Sequence, residues 1–208
     1  MSQATARVPQ EERTRLMRAR LLEATIDLLA ERGFAGTTST LVSERAGVSR
    51  GAQLHHFPTK NDLVVAAVEH VMAARVGELR VDTDSLPAGS ARTRAVLQVF
   101  ADHFTSPLFM AALELWVGAR TDPDLLAQVG PLEQQVGRDA HRAAVRLLAV
   151  DESIPGNREL VQATLDLVRG LGLASTISDD TPRRDRILDH WAEVLDRELL
   201  RTTPKENR

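Results

Sequence analysis

Four polar side chains crowd a predicted helix of about two turns: Arg50, Gln53, His55 and His56. A guanidinium pairs with O6 and N7 of guanine, and a carboxamide pairs with N6 and N7 of adenine. The two imidazoles, and Lys60 just beyond the helix, suit phosphate oxygens, which position a protein on a duplex without specifying its sequence. These residue types therefore indicate a surface that reads base edges in a DNA groove.

The helix with these side chains follows another short helix, and a glycine turn joins the two. Thr38 is placed to cap the first helix, Gly47 to end it and Ser49 to cap the second. Two helices joined in this way form a helix-turn-helix unit, whose second helix presents its N-terminal half to the major groove. A longer helix precedes them and ends at Gly33. The three predicted helices span about residues 9–32, 38–46 and 49–57.

The rest of the chain of 208 residues also shows helical periodicity, with almost no strand signal, which predicts an all-α fold. The first 60 residues carry nine Lys and Arg against six Asp and Glu, whereas the remainder carries 17 against 23. A basic segment on an acidic body is compatible with an anionic partner for the first segment alone.

Several classes of protein and site are disfavoured by the sequence. There is no cysteine, no run of 18 apolar residues and no apolar region near the N-terminus, so we expect a cytoplasmic protein without a membrane segment. The catalytic motifs of hydrolases, nucleotide-binding enzymes and zinc peptidases are missing, and the histidines lack metal-ligand spacing. We therefore predict no enzyme activity, no catalytic residues, no metal and no cofactor.

The segment FAGTTSTLVSERAGVSRGAQLHHFPTKNDLV resembles the DNA-binding segment of the tetracycline-repressor (TetR) family. The likeness covers about residues 13–70. It is carried by Gly33-Phe34, Thr37-Thr38, Ala46-Gly47-Val48-Ser49, Gly51, His56-Phe57, Lys60 and Leu63. The resemblance implies a DNA-binding domain over residues 1–60 and a helical domain over residues 61–208 that binds a small molecule and forms a dimer.

Three positions depart from the family pattern. Leu54 stands where the family usually has a tyrosine that touches DNA, so one phosphate contact is missing. Gln53 occupies a position that is usually apolar, and Ser43 replaces the usual alanine. We expect the DNA contacts to come from Ser39, Thr40, Arg50, Gly51, Gln53, His55, His56 and Lys60.

Candidate ligand residues lie on the middle helices, where apolar side chains are mixed with a few polar ones, as a binding pocket requires. They favour a lipophilic or aromatic effector, although the same spacing also fits an ordinary core. The candidates are Phe100, His103, Phe104, Met110, Leu113, Trp116, Val117, Arg120, His141 and Val145.

Two apolar stripes near the C-terminus predict a four-helix interface between two copies of the chain. The alternative is that both stripes belong to the core of one chain. The predicted interface residues are Leu160, Thr164, Leu167, Leu171, Ile187, Trp191, Val194 and Leu195.

Together these features predict a ligand-responsive transcriptional regulator, a repressor that binds a palindromic operator as a homodimer and is released by a small effector. Two alternatives stay open at this point. The chain could be a transcriptional activator, or a helical protein-protein interaction module with no DNA role.

Overall fold

The computed structural model describes residues 10–76 and 83–199, which form nine α-helices, a short 3-10 helix and no β-strand. The all-α prediction is confirmed. The helices are α1 (Gln10–Gly36), α2 (Ser39–Ala46), α3 (Arg50–His56), α4 (Lys60–Val76), α5 (Ser90–Phe104), α6 (Pro107–Ala119), α7 (Pro123–Leu148), α8 (Asn157–Ala174) and α9 (Thr181–Glu198), with the 3-10 turn at Thr83–Ser85 between α4 and α5.

The chain divides into two compact units. Of the described residues, 10–72 and 111–130 form the first unit, and 73–76, 83–110 and 131–199 form the second. Three helices, α4, α6 and α7, are therefore each shared between the units. The predicted domain boundary at residue 60 lies earlier in the chain than the first division between the compact units, which follows Met72.

The first unit is built on apolar side chains that α1 to α4 direct towards one another. The buried residues of α1 in this region form the pairs 21/22, 24/25 and 28/29, and this spacing of three to four residues is typical of a helix that packs on one side. The core cluster of this unit consists of Leu21, Leu22, Ala24, Leu28, Val42, Ala46, Phe57, Leu63 and Ala67.

Helix α1 is interrupted at Gly33, whose φ of +67° is one that side-chain-bearing residues rarely adopt. The break turns Phe34 towards α6, where the Phe34 amide donates a hydrogen bond of 3.1 Å to the Glu114 carboxylate. A Cβ at Gly33 would lie 2.6 Å from an oxygen of that carboxylate, so a side chain there would displace Glu114 as well as strain the backbone.

In the second unit α5 packs against both α8 and α9. Its buried face includes Val96, Leu97 and Phe100. The guanidinium of Arg94 is close to two carboxylates of α9, with Nε 2.5 Å from Asp189 and an Nη atom 3.4 Å from Asp185. At Gly172 the backbone of α8 approaches α5 so closely that an added Cβ would lie 2.3 Å from the carbonyl oxygen of Phe104.

Candidate DNA-binding surface

The three residues predicted to bound α2 and α3 do so in the structure. Thr38 Oγ1 accepts from the Leu41 amide at 3.3 Å, and Ser49 Oγ accepts from the Ala52 amide at 3.2 Å. Gly47 takes the left-handed conformation with a φ of +62°, and its amide bonds back to Glu44. These caps end α2 and start α3 within three residues, which produces the helix-turn-helix geometry.

A buried chain of hydrogen bonds fixes α3 against α2. Ser43 Oγ donates to Gln53 Oε1 at 3.0 Å, and Gln53 Nε2 donates to the Phe57 carbonyl at 3.4 Å. The Gln53 side chain is fully buried, with a relative exposure of 0 %. The prediction that Gln53 reads a base is therefore wrong, because both ends of its amide already bind the protein's interior.

With Gln53 inside, the opposite side of α3 is the one that solvent reaches. Its exposed residues are Arg50, Gly51, Leu54 and His55, which follow one another at helical spacing. No atom lies within 4 Å of where a Gly51 side chain would begin, so the helix surface is open there. A partner can approach this face closely, and we call these four residues the exposed face of α3.

Other predicted DNA contacts lie around this face. An Nη atom of Arg50 donates to Thr40 Oγ1 at 3.4 Å, which brings α2 and α3 together at the surface. The rings of His55 and His56 meet edge to face with centroids 5.3 Å apart, and His56 is half-buried. Ser39, the first residue of α2, is half-buried as well.

Lys60 has an intramolecular role that the sequence did not suggest. Its ammonium donates to the Phe34 carbonyl at 2.5 Å and lies 3.9 Å from the centroid of the Phe34 ring. Partial burial lowers the pKa of Lys60. The structure places this ammonium at the end of α1, where it fixes the start of α4. A phosphate contact by Lys60 remains a prediction.

Further contacts hold α1 beside the helix-turn-helix. The Arg45 guanidinium makes a two-pronged contact with the Glu31 carboxylate, at 2.9 and 2.7 Å, and this hydrogen bonding lowers the pKa of Glu31. The Arg18 guanidinium lies 4.5 Å from the centroid of the Phe57 ring, immediately after α3. These contacts hold α1 against α2 and against the residue that follows α3.

Two contacts within the first unit link α1 to α6, and α4 to the turn between α6 and α7. One is the Phe34 amide on Glu114, described above. The other is Asn61 Nδ2, which donates to Asp122 at 3.1 Å. The pKa of Asp122 is lowered by hydrogen bonds from the Leu125 amide and from Asn61. A displacement of α6 would therefore alter the hydrogen bond between Glu114 and the Phe34 amide at the end of α1.

The predicted ligand residues are divided between the two units. Phe100, His103, Phe104, Met110, His141 and Val145 belong to the second unit, and Leu113, Trp116, Val117 and Arg120 to the first. Phe100 and Phe104 are buried, whereas Val117 is 59 % exposed and Arg120 is also exposed. His141 Nε2 lies 2.6 Å from Glu152 Oε1, to which Arg158 also donates. The ligand role of all these residues remains a prediction.

The predicted dimer residues separate into two groups. Thr164, Leu171 and Leu195 are buried within the chain, so their assignment to an intermolecular surface is wrong. Trp191 Nε1 donates to Thr164 Oγ1 at 3.0 Å, which joins α9 to α8. Half-buried positions remain at Leu160, Leu167, Ile187, Trp191 and Val194. An open groove of about 570 Å³ between α8 and α9 is lined by Leu167, Arg183, Arg186, Ile187, His190 and Trp191.

In the described part of the chain, no group of three or more His, Asp or Glu side chains is placed to hold a metal ion. No single described helix is long and apolar enough to cross a membrane. The helices α5 and α6, which are bent relative to each other, together reach the required length and apolar composition.

Comparison with known proteins points to one class of regulator. The model of the family described as bacterial regulatory proteins, tetR family, matches residues 21–67. An uncharacterized HTH-type transcriptional regulator of Mycobacterium tuberculosis is 33 % identical over 150 residues, which span 72 % of this chain and 76 % of the relative. The HTH-type transcriptional regulator CymR of Pseudomonas putida is 31 % identical over 196 residues, which span 89 % of this chain and 92 % of CymR.

The fold is also found among solved structures. The transcriptional regulator FadR of Bacillus subtilis, in complex with stearoyl-CoA, superimposes with a TM-score of 0.64 over 88 % of this chain and 99 % of FadR. Its sequence identity is 13 %, so this likeness concerns the fold alone.

The Ser43–Gln53 contact can be tested by removing one partner and then both. We expect Ser43→Ala to lower the free energy of unfolding by about 1–3 kcal/mol, because it leaves the buried Gln53 oxygen without its donor. The double variant Ser43→Ala with Gln53→Leu replaces both polar groups by apolar ones and should recover most of that loss. Urea unfolding measures the wild type, Ser43→Ala, Gln53→Leu and the double variant. Losses that simply add would show that the two side chains do not act as a pair.

Proposed function

Because the chain belongs to the tetR family of bacterial regulatory proteins, we propose that this transcriptional regulator is a repressor that binds a palindromic operator as a homodimer. The family consists of transcriptional regulators and not of enzymes. The observation that carries the proposal is the exposed face of α3, where Arg50 and His55 present donors and Gly51 leaves room for a duplex.

The chemistry of the exposed face suits the major groove. Arg50 can donate two parallel hydrogen bonds to O6 and N7 of a guanine, which is the commonest specific contact of an arginine with DNA. Thr40 lies within hydrogen-bonding distance of Arg50 and orients its guanidinium from α2. Ser39, His55 and His56 are proposed as phosphate contacts at the edge of this surface, where they would position α3.

Dimerisation supplies the affinity that one helix lacks. A helix of seven residues covers few base pairs, and two half-sites about one helical turn apart double its contacts. We assign the dimer interface to the open side of α8 and α9, where Leu167, Ile187 and Trp191 remain partly exposed beside the groove. A two-fold axis there would place identical apolar surfaces together.

Release by an effector is the proposed regulatory step. The predicted ligand positions Leu113, Trp116 and Val117 flank Glu114 on α6, and Glu114 binds the Phe34 amide at the end of α1. A ligand that prefers another position of α6 would disturb this contact and shift the population away from the DNA-binding form. A lipophilic or aromatic effector fits the predicted ligand residues, which are mainly apolar. We propose that α4, which starts at Lys60, transmits the change to the DNA-binding helices.

The DNA role is tested with Arg50→Ala on an operator obtained by selection from random duplexes. We expect binding to weaken by about 1–3 kcal/mol and base preference to relax at one position of each half-site. Gel retardation measures affinity for the operator and for its single-base variants. Arg138→Ala, which removes an exposed arginine of α7, is the matched control and should bind as wild type does. Unchanged binding by Arg50→Ala would refute the proposed reading surface.

The interface is tested with Ile187→Glu, which puts a charge into the proposed apolar contact. We expect the dimer dissociation constant to rise at least about ten-fold, because a carboxylate in the contact loses its hydration and replaces apolar contact area. Sedimentation equilibrium measures it. Leu126→Glu changes an exposed leucine in the first unit and serves as the control. If both variants dimerise like the wild type, the interface lies elsewhere.

The effector step is tested by screening lipophilic and aromatic compounds for an increase in melting temperature. A compound that stabilises the free protein through the proposed site should also weaken operator binding by about 5–150-fold, the usual range of such coupling. Fluorescence anisotropy with labelled operator measures this change, and Arg50→Ala should still bind the compound. Stabilising ligands that all leave operator affinity unchanged would contradict release by an effector.

A further inference from the structure

Leu54 is the one large apolar side chain on the exposed face of α3. It is 42 % exposed and lies one helical turn after Arg50, with Gly51 on the turn between them. Leu54 is absent from the predicted DNA contacts, because it lacks the hydroxyl of the tyrosine that usually stands there. The structure nevertheless places it on the exposed face of α3, which is the surface proposed to meet a duplex.

The orientation of Leu54 follows from the buried side of the same helix. Gln53 is held by Ser43 and by the Phe57 carbonyl, so α3 cannot rotate to bury Leu54 without breaking both hydrogen bonds. Such a rotation would also withdraw Arg50 from the surface. Leu54 therefore stays exposed for as long as these two hydrogen bonds of Gln53 are intact.

The isobutyl side chain of Leu54 can make only one kind of favourable contact with the base edges of a major groove. Base edges there present donors and acceptors, together with the C5 methyl group of thymine, which is their one apolar feature in unmethylated DNA. Placing a leucine against a donor or an acceptor would remove water from that polar group without replacing its hydrogen bond. Contact with the methyl group removes apolar surface from water on both sides.

We propose that Leu54 is a specificity-determining residue that contacts the C5 methyl group of a thymine in each half-site. This inference rests on the proposed function, since it requires the exposed face of α3 to enter the major groove. Leu54 lies four residues after Arg50, about 6 Å along the helix. Base pairs are spaced about 3.4 Å apart, so the thymine is expected roughly two base pairs from the guanine that Arg50 reads.

The experiment compares thymine with uracil, which pairs identically but lacks the methyl group. An operator is first selected from a random, unmethylated pool with the wild-type protein, and each thymine of one half-site is then replaced in turn by uracil. At one position we expect the replacement to weaken wild-type binding about four-fold, the loss that follows from one methyl group removed from an apolar contact. Gel retardation with purified full-length protein measures each duplex.

Three variants make the assignment specific to Leu54. Leu54→Ser should bind the thymine and uracil duplexes equally, whereas Leu54→Met, which remains apolar, should keep the difference. Leu126→Ser alters another exposed leucine of the first unit and should behave as the wild type does. All these side chains are at the surface, so circular dichroism should give the same helix content for each protein.

The possible failures are distinguishable. Selective operator binding with no thymine sensitive to loss of its methyl group overturns the role of Leu54 and leaves the proposed function intact. A methyl-dependent thymine that Leu54→Ser still prefers assigns the contact to another residue and also overturns it. A protein that retards no duplex at low salt overturns both the proposed function and this inference.

Discussion

The hydrogen-bonded chain from Ser43 through Gln53 to the Phe57 carbonyl is the constraint on which the DNA-binding surface depends. A buried amide without partners is strongly unfavourable, so α3 is stable in the one orientation that satisfies both ends of Gln53. That orientation exposes Arg50, Gly51 and Leu54. A polar pair inside the unit thus decides which side chains are available outside it.

The remaining contacts of the first unit hold this surface to its surroundings. Lys60 and Glu114 both bind the backbone of Phe34, one through its carbonyl and the other through its amide. The break at Gly33 makes this possible, because its positive φ frees the end of α1 from its own helix and leaves space for the carboxylate. The end of α1 is therefore the point at which α4 and α6 meet the DNA-binding helices.

The sequence predicted the helices and their caps well, but it predicted the roles of individual side chains less well. Thr38, Gly47 and Ser49 act through bonds to near neighbours, so their capping roles are readable from the chain alone. Gln53 was misassigned because its partner Ser43 lies 10 residues away, and the contact of Lys60 with the Phe34 carbonyl was not predicted because it spans 26 residues. Helical spacing likewise could not separate the buried Thr164 and Leu195 from the half-exposed Ile187. One signal was available: Ser43 and Gln53 both depart from the family pattern, as a matched polar pair would.

We propose that α3 enters the major groove with Gln53 inside the protein. The decisive experiment is a crystal structure of the full-length protein with its selected operator. We expect Arg50 and Leu54 to lie against base edges, with the Gln53 amide still bound to Ser43 and to the Phe57 carbonyl. A complex in which Gln53 is turned out onto a base, or in which another surface of the chain meets the duplex, would contradict it.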